Sequence, residues 1–266
     1  MQIWAHGSTV LGVGTSAPRA PLDKSAIASS ISQYWRVSVV DLTASTQSDL
    51  TELVKAKSAQ NGDVIVTEYQ SAGRGRLERT FEAVSGSALL FSFYLIPQRH
   101  RSEWGFIAQL AALTMQEVIS PDLKLPVYLK WPNDILIEEK KVAGLLAQQV
   151  NDGVIIGLGL NVEMSAEELP VSSATSLEIC EASLLDRNLL LAQFLNQFEK
   201  NFKQWESGID FIPRYMAISS TLGHEVRVEI PGRDPFISRA LSLKPTGALI
   251  LSDGFEVNVG DIIHLR

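Results

Sequence analysis

The chain has 266 residues, 45% hydrophobic and 20% charged, enough apolar material for one large core and a small additional unit. Its formal net charge of -7 at pH 7 provides no global field for nucleic acid or an anionic membrane, so any phosphate recognition has to be local. Cys180 is the single cysteine, which excludes an internal disulfide and a multi-thiolate metal site and fits a reducing cytoplasm, and no apolar run is long enough to cross a bilayer.

Residues 1–18 contain Gly, Ser and Ala but no basic start followed by a continuous apolar stretch, so they read as an extended arm rather than a signal peptide. Residues 22–35 predict a short helix and 37–42 a strand leading into Ser45-Thr46-Gln47. Leu50, Leu53 and Val54 then recur at helical spacing, and Thr46 followed by Asp49 matches a helix start. Residues 64–66 and 88–95 are apolar on both faces, as in strands of a buried sheet. Phe106, Ile107, Leu110, Ala111, Met115 and Val118 form one stripe on a helix predicted over 103–119.

Residues 127–130, 135–137, 142–150 and 154–160 follow as strands, with turns at Glu138-Glu139-Lys140 and Asn151-Asp152-Gly153. The fold class is therefore α+β, a central mixed and largely antiparallel sheet flanked by helices. Residues 187–205 predict a long amphipathic helix. Beyond Ser219, short strand-like runs alternate with Gly, Pro and Asp turns, the texture of a small β-barrel. The expected division is an arm with a short helix over 1–36, a catalytic unit over 37–217 and a barrel over 218–266.

Gln70-Ser71-Ala72-Gly73-Arg74-Gly75-Arg76 places two arginines between small residues directly after an apolar strand. Glycine lets backbone approach a ligand, and arginine chelates carboxylate or phosphate oxygens in pairs. Alone, the run reads equally as a flexible basic surface loop. Lys130-Trp131-Pro132-Asn133-Asp134 joins a lysine to residues that favour a tight turn for local reasons. Lys141 is either a solvated hairpin charge or, since Val142-Ala143-Gly144-Leu145 enters a buried strand, a lysine aimed into a cleft. Ser45 and Thr46 read as helix caps, and a cap with free N–H groups also holds a polar ligand head. Gly157-Leu158-Gly159-Leu160-Asn161-Val162 lacks the third glycine of a dinucleotide fingerprint, so its small residues instead give a strand room beside a ligand. His6, His100, His224 and His264 are scattered without a zinc or catalytic spacing, and no Gly-x-Ser-x-Gly elbow is present.

Taken in order, Ser45-Thr46-Gln47, the run from Glu68 to Arg76, Leu129 to Asp134, Lys141 to Leu146, Gly157 to Val162 and Ala174-Thr175-Ser176-Leu177 resemble the successive motifs of biotin protein ligases. Leu222-Gly223 and Val259-Gly260-Asp261 carry the resemblance to the C-terminus, so it covers 41–266. It implies a class II synthetase-like fold with a small SH3-like barrel. It also implies an enzyme that adenylates biotin with Mg-ATP and transfers it to a lysine of the biotin carboxyl carrier domain of an acyl-CoA carboxylase, in the cytoplasm, with neither nucleic acid nor membrane as partner.

Residue by residue, the resemblance implies a biotin pocket of Ser45, Thr46, Gln47, Gln70, Gly144 and Gly157, closed by Arg74, Gly75, Arg76 and Lys141. Arg76, Phe81, Lys130, Asn133 and Asn161 would face ATP, Asp134 would hold magnesium, and Lys141, Arg74 and Arg76 would be catalytic. Two positions depart from the family pattern: Gln47 stands where asparagine is common, and Glu78 replaces the last glycine of the loop before Arg79, which is expected to alter loop ordering. Lipoate or octanoate ligases and transferases share the fold family and form the alternative. A biotin-sensing repressor is the third reading, disfavoured because about forty residues precede Ser45 and carry no basic two-helix pattern, which implies the type without a DNA-binding domain.

Overall fold

The computed structural model describes residues 19–76 and 79–265. The expected arm over 1–18 and the departure at Glu78 lie outside the described residues. The first helix, α1 (Lys24–Ser30), is capped by the Asp23 carboxylate, which accepts from Ser25 N and Ala26 N. It ends well short of the predicted 35. The hydroxyls of Ser29 and Ser30 both turn back to donate to Ala26 O at 2.9 Å, and such local bonding competes with helix continuation.

The strand β1 (Arg36–Thr43) follows, then α2 (Thr46–Lys55), β2 (Asp63–Gln70) and β3 (Ala88–Leu95). A 3-10 turn at Arg101–Phe106 precedes α3 (Ile107–Ile119), so the predicted 103–119 helix is split at Phe106. Four strands come next: β4 (Val127–Lys130), β5 (Asp134–Ile137), β6 (Lys140–Val150) and β7 (Gly153–Asn161). The sheet order is β1-β2-β3-β7-β6-β5-β4, with β1 and β2 parallel and the other neighbours antiparallel.

Helices cover both faces, which is why β3 is buried along its whole length. On one face Phe91 and Phe93 pack against Phe194 and Phe198 of α4 (Arg187–Glu206), with ring centroids 5.0–5.7 Å apart for three of these pairs. On the other, Leu50 and Val54 of α2 meet Ile65, Tyr94 and Ile155. Because α2 packs here, its first turn is fixed against the middle of the sheet.

The short helix α5 (Ile212–Ala217) leads to β8 (Glu225–Glu229), β9 (Phe236–Leu243), β10 (Leu249–Leu251), β11 (Glu256–Val257) and β12 (Asp261–His264). These form a second antiparallel sheet ordered β11-β10-β9-β8-β12, and among the described residues no ladder joins β11 to β12. Trp131 pins this sheet to the first: its Nε1 donates to Gly247 O at 3.0 Å, and its backbone N donates to Thr221 Oγ1 at 3.0 Å. A Cβ on Gly105 would stand 2.2 Å from Thr246 O, so the 3-10 turn before α3 meets the turn between β9 and β10 at a contact only glycine allows. The result brings β12 beside the end of β5.

Candidate active site

Ser45 and the first turn of α2 form the floor of a cavity of about 240 Å³. Ser45 is the residue before the helix, yet its hydroxyl caps nothing; it is buried and has no hydrogen-bond partner. Thr46 N and Oγ1 donate to Gln70 Oε1 at 2.9 and 3.2 Å, and Thr46 Oγ1 lies 2.8 Å from Ser92 Oγ. Ser92 Oγ in turn donates to Gln47 Oε1 at 3.2 Å, while Gln47 Nε2 donates to Ile155 O at 3.3 Å. Four polar side chains are thus tied into one network under an otherwise apolar sheet face. A Cβ at Gly157 would come 2.7 Å from Gln47 Oε1, so this strand carries glycine to leave the network its space.

The arginine loop rises from the end of β2. Ser71 N and Ala72 N donate to Thr43 O and Ala44 O, both at 2.9 Å, fixing its base to β1. A small hairpin follows, closed by Gly75 N to Arg79 O, Phe81 N to Gly73 O, and an antiparallel bridge between Arg74 and Thr80. Gly73 has no room for a side chain, since a Cβ there would stand 2.3 Å from Phe81 O. Phe81 returns across Gly159, where an added Cβ would sit 2.6 Å from the ring. Both Arg74 and Arg76 line the cavity.

The opposite wall is the Lys130–Asp134 turn and β6. Asn133 Nδ2 donates to Leu145 O at 2.7 Å and Leu145 N donates to Asn133 O at 2.9 Å, which clamps the turn to the strand. Lys141 Nζ stands 2.6 Å from Asp134 Oδ1. This ion pair ties the start of β5 to β6 at the cavity wall. Gly144 makes space for the lysine, as a Cβ there would be 3.0 Å from its Cε and Nζ.

Lys130, Arg74, Arg76, Arg79 and Lys141 therefore face one cavity, against the carboxylates of Asp134, Glu229 and Asp261, leaving an excess of positive charge. The Arg76 guanidinium is held below the usual arginine value because it is partly buried, an effect opposed by Asp261 and Asp134. Tyr215, fully buried behind Asp134, is pushed up by burial and by that carboxylate.

Every residue expected at the site lines this cavity except Asn161. Asn161 is buried and donates its Nδ2 to Thr175 O at 2.9 Å, which tethers the 175–177 segment to β7. Sequence reasoning missed Ser92, Thr80, Glu229, Ile262 and Asp261 as lining residues. Ser92 carried a signal, a serine in the middle of an apolar strand. Asp261 lay in a recognised motif without an assigned role.

Residues 39–161 match the model of the Biotin/lipoate A/B protein ligase family. The biotin--[acetyl-CoA-carboxylase] ligase of Mycobacterium tuberculosis is 32% identical over 260 residues, covering 93% of this chain and 97% of that protein. The chain belongs to the biotin protein ligase family. Among solved structures, the biotin protein ligase of Aquifex aeolicus in complex with biotin and ATP superposes with a TM-score of 0.72 at 27% identity, over 86% of this chain and 98% of that one. The bifunctional ligase/repressor BirA of Escherichia coli is 29% identical over 78% of this chain and 67% of its own length.

Among the described residues no group of three or more His, Cys, Asp or Glu side chains is arranged to hold a metal ion. Magnesium needs less, since it commonly takes one or two carboxylates and completes its shell with substrate phosphates and water. Asp134 fits that mode, as a carboxylate that lines the cavity with one oxygen paired to Lys141. No helix of the described residues is long and apolar enough to cross a membrane.

Proposed function

We propose that this protein adenylates biotin with Mg-ATP to biotinyl-5'-AMP and transfers the biotinyl group to a lysine of the carrier domain of an acyl-CoA carboxylase. The observation that carries the reading is the union, in one cavity, of an uncharged hydrogen-bonding floor with a cationic rim. Biotin has the matching polarity: a neutral ureido head at one end and a carboxylate at the other. The floor offers Ser45 Oγ, Thr46 and Gln47, side chains that both donate and accept, to a group with two N–H donors and one carbonyl. Lipoate presents a dithiolane at that end, which needs none of them, so the polar floor favours biotin over the alternative acid.

A carboxylate is a poor acyl donor until one oxygen is made part of a leaving group. In the first step a biotin carboxylate oxygen attacks the α-phosphorus, the bond from that phosphorus to the bridging oxygen breaks, and pyrophosphate departs with the electron pair. Arg74, Arg76 and Lys141 are the residues that bring the two anions together and take up the charge moving onto pyrophosphate. Asp134 would hold magnesium, which would supply further charge neutralisation when bound. Arg76, Phe81, Lys130 and Asn133 serve the nucleotide. In the second step the lysine amine of the carrier attacks the acyl carbonyl, AMP leaves, and the amine's proton passes to solvent. The arginine loop keeps water from the mixed anhydride in between.

The same reading assigns catalysis to 37–217 and a supporting role to 218–266, and an ATP-dependent reaction of this kind belongs in the cytoplasm. The test is incubation with biotin, Mg-ATP and a biotin-acceptor carrier domain, scored by mass shift of the carrier lysine. Biotin-dependent ATP-pyrophosphate exchange isolates the first step. Exchange driven by lipoate and not by biotin would overturn the choice of acid.

A further inference from the structure

Asp261 lies on β12, in the second sheet, yet its side chain reaches the arginine loop of the first. Arg79 Nη2 pairs with Asp261 Oδ2, and Arg76 Nη1 lies 3.6 Å from Asp261 Oδ1. Arg76 Nη2 also donates to the neighbouring Gly260 O at 3.1 Å, while its Nη1 donates to Asn133 Oδ1 at 3.4 Å. One guanidinium therefore bridges the 130–134 turn and the start of β12 across the mouth of the cavity.

A second observation comes from the pairing of β12 with β8. Asp261 stands directly opposite Glu229, and both carboxylates line the cavity. Like charges in opposed positions of an antiparallel ladder repel, so this pair needs cations close by. Arg227 answers Glu229 at 2.9 Å from its own strand; Arg76 and Arg79 answer Asp261 from the loop. The second sheet thus offers an acidic seat matched to the loop's two arginines.

We propose that Asp261 is a positioning residue that latches the arginine loop to the second sheet and so keeps activated biotin enclosed until the acceptor lysine arrives. The inference rests on the biotin ligase reading and extends it to a residue outside the large sheet. The carboxylate touches neither reacting atom; it acts through where it holds Arg76 and Arg79. The Arg76 contact is the shielded half, with side chains only 18% and 16% exposed, whereas Arg79 is 67% exposed. An exposed pair is weakened by salt and a shielded one much less, so part of the latch is salt-sensitive.

The full-length protein is loaded with labelled biotin and Mg-ATP, freed of excess ligand, and followed for loss of bound biotinyl-adenylate and for stray labelling of serum albumin lysines. Asp261→Asn is expected to shorten retention about three- to tenfold, the range of an ionic contact at a partly shielded site, and to raise stray labelling. Asp261→Glu should restore most of the retention. Added potassium chloride should shorten retention in the wild type and change it little in Asp261→Asn, a response a purely structural role would not give. Should Asp261→Asn fail to fold, Arg79→Gln removes the exposed half of the latch and is expected to shorten retention and flatten its salt dependence. Wild-type retention and salt dependence in whichever variant folds would overturn the latch. A wild-type protein that forms no adenylate at all would instead overturn the ligase reading beneath it.

Discussion

Lys141 and Asp134 are brought within 2.6 Å of each other by an irregularity in the pairing of β5 with β6. The register shifts between Ile135 and Leu136, so that Ala143 faces Ile135 while Lys141 faces Leu136, with Val142 as the extra residue. A bulge of this kind re-aims the side chain beside it. Here it puts the lysine on the same face as Asp134, at the cavity, as in the second of the two readings the sequence left open.

The consequence is that Lys141→Ala should remove a cation from the place where charge develops on pyrophosphate. Biotin-dependent ATP-pyrophosphate exchange is expected to fall by about 10²–10³-fold, the usual loss for one such donor. Near-normal exchange in the variant would mean that the lysine serves the hairpin and not the reaction.

Much of this was legible in the sequence because its signals were local. The run from Ala88 to Leu95 could only be a strand covered on both faces, and it is. The stripe from Leu190 to Trp205 became α4 as expected. The helix α5 and the two-residue β11 escaped, being too short to show a period. At the site, motifs gave the residues but not their company. Nothing local in Asp261 says that it meets Arg76 and Arg79, because that contact depends on how Trp131 docks the second sheet onto the first. Asn161 was likewise silent on its company: nothing local says that its Nδ2 meets Thr175 O.

Gly157→Ala tests the polar floor from below. The new methyl would stand 2.7 Å from Gln47 Oε1 and 3.2 Å from Ser92 Oγ, so one of the two must shift. Overpacking of this size costs about 1–3 kcal/mol. We expect it to appear mainly as weaker biotin binding, since the groups displaced are those that meet the ligand head. Titration calorimetry against biotin reads this directly, and an unchanged affinity would remove Gln47 and Ser92 from the pocket.

His264 gives the fold a pH dependence. Its imidazole is held below the ordinary value of 6.5, first by burial and then by Lys130 and His224, with Glu139 acting the other way. Its Nε2 lies 3.4 Å from Thr221 Oγ1, the atom that accepts from Trp131 N, so the ring belongs to the joint between the sheets. A base whose folded pKa is depressed takes up its proton more readily when unfolded. Its contribution is therefore present above about 6.5 and is lost as the pH falls below that value toward the lower folded one. Thermal unfolding between pH 7.5 and about 5 should show His264→Gln losing less stability on acidification than the wild type. Parallel curves for the two proteins would locate the acid sensitivity elsewhere.

Ser45 allows stability and binding to be separated. Its hydroxyl is buried at the start of α2 but neither caps the helix nor meets any partner, so in the free protein it stabilises nothing that Ser45→Ala would remove. Truncation there should change unfolding free energy by no more than about 0.5 kcal/mol, whereas loss of a helix-capping bond commonly costs about 1 kcal/mol. Biotin affinity should fall roughly fivefold, the worth of one neutral hydrogen bond made only when the ureido head is present. The two measurements discriminate cleanly: a destabilised variant with unaltered biotin affinity would make the hydroxyl a structural group, and the floor would then begin at Thr46.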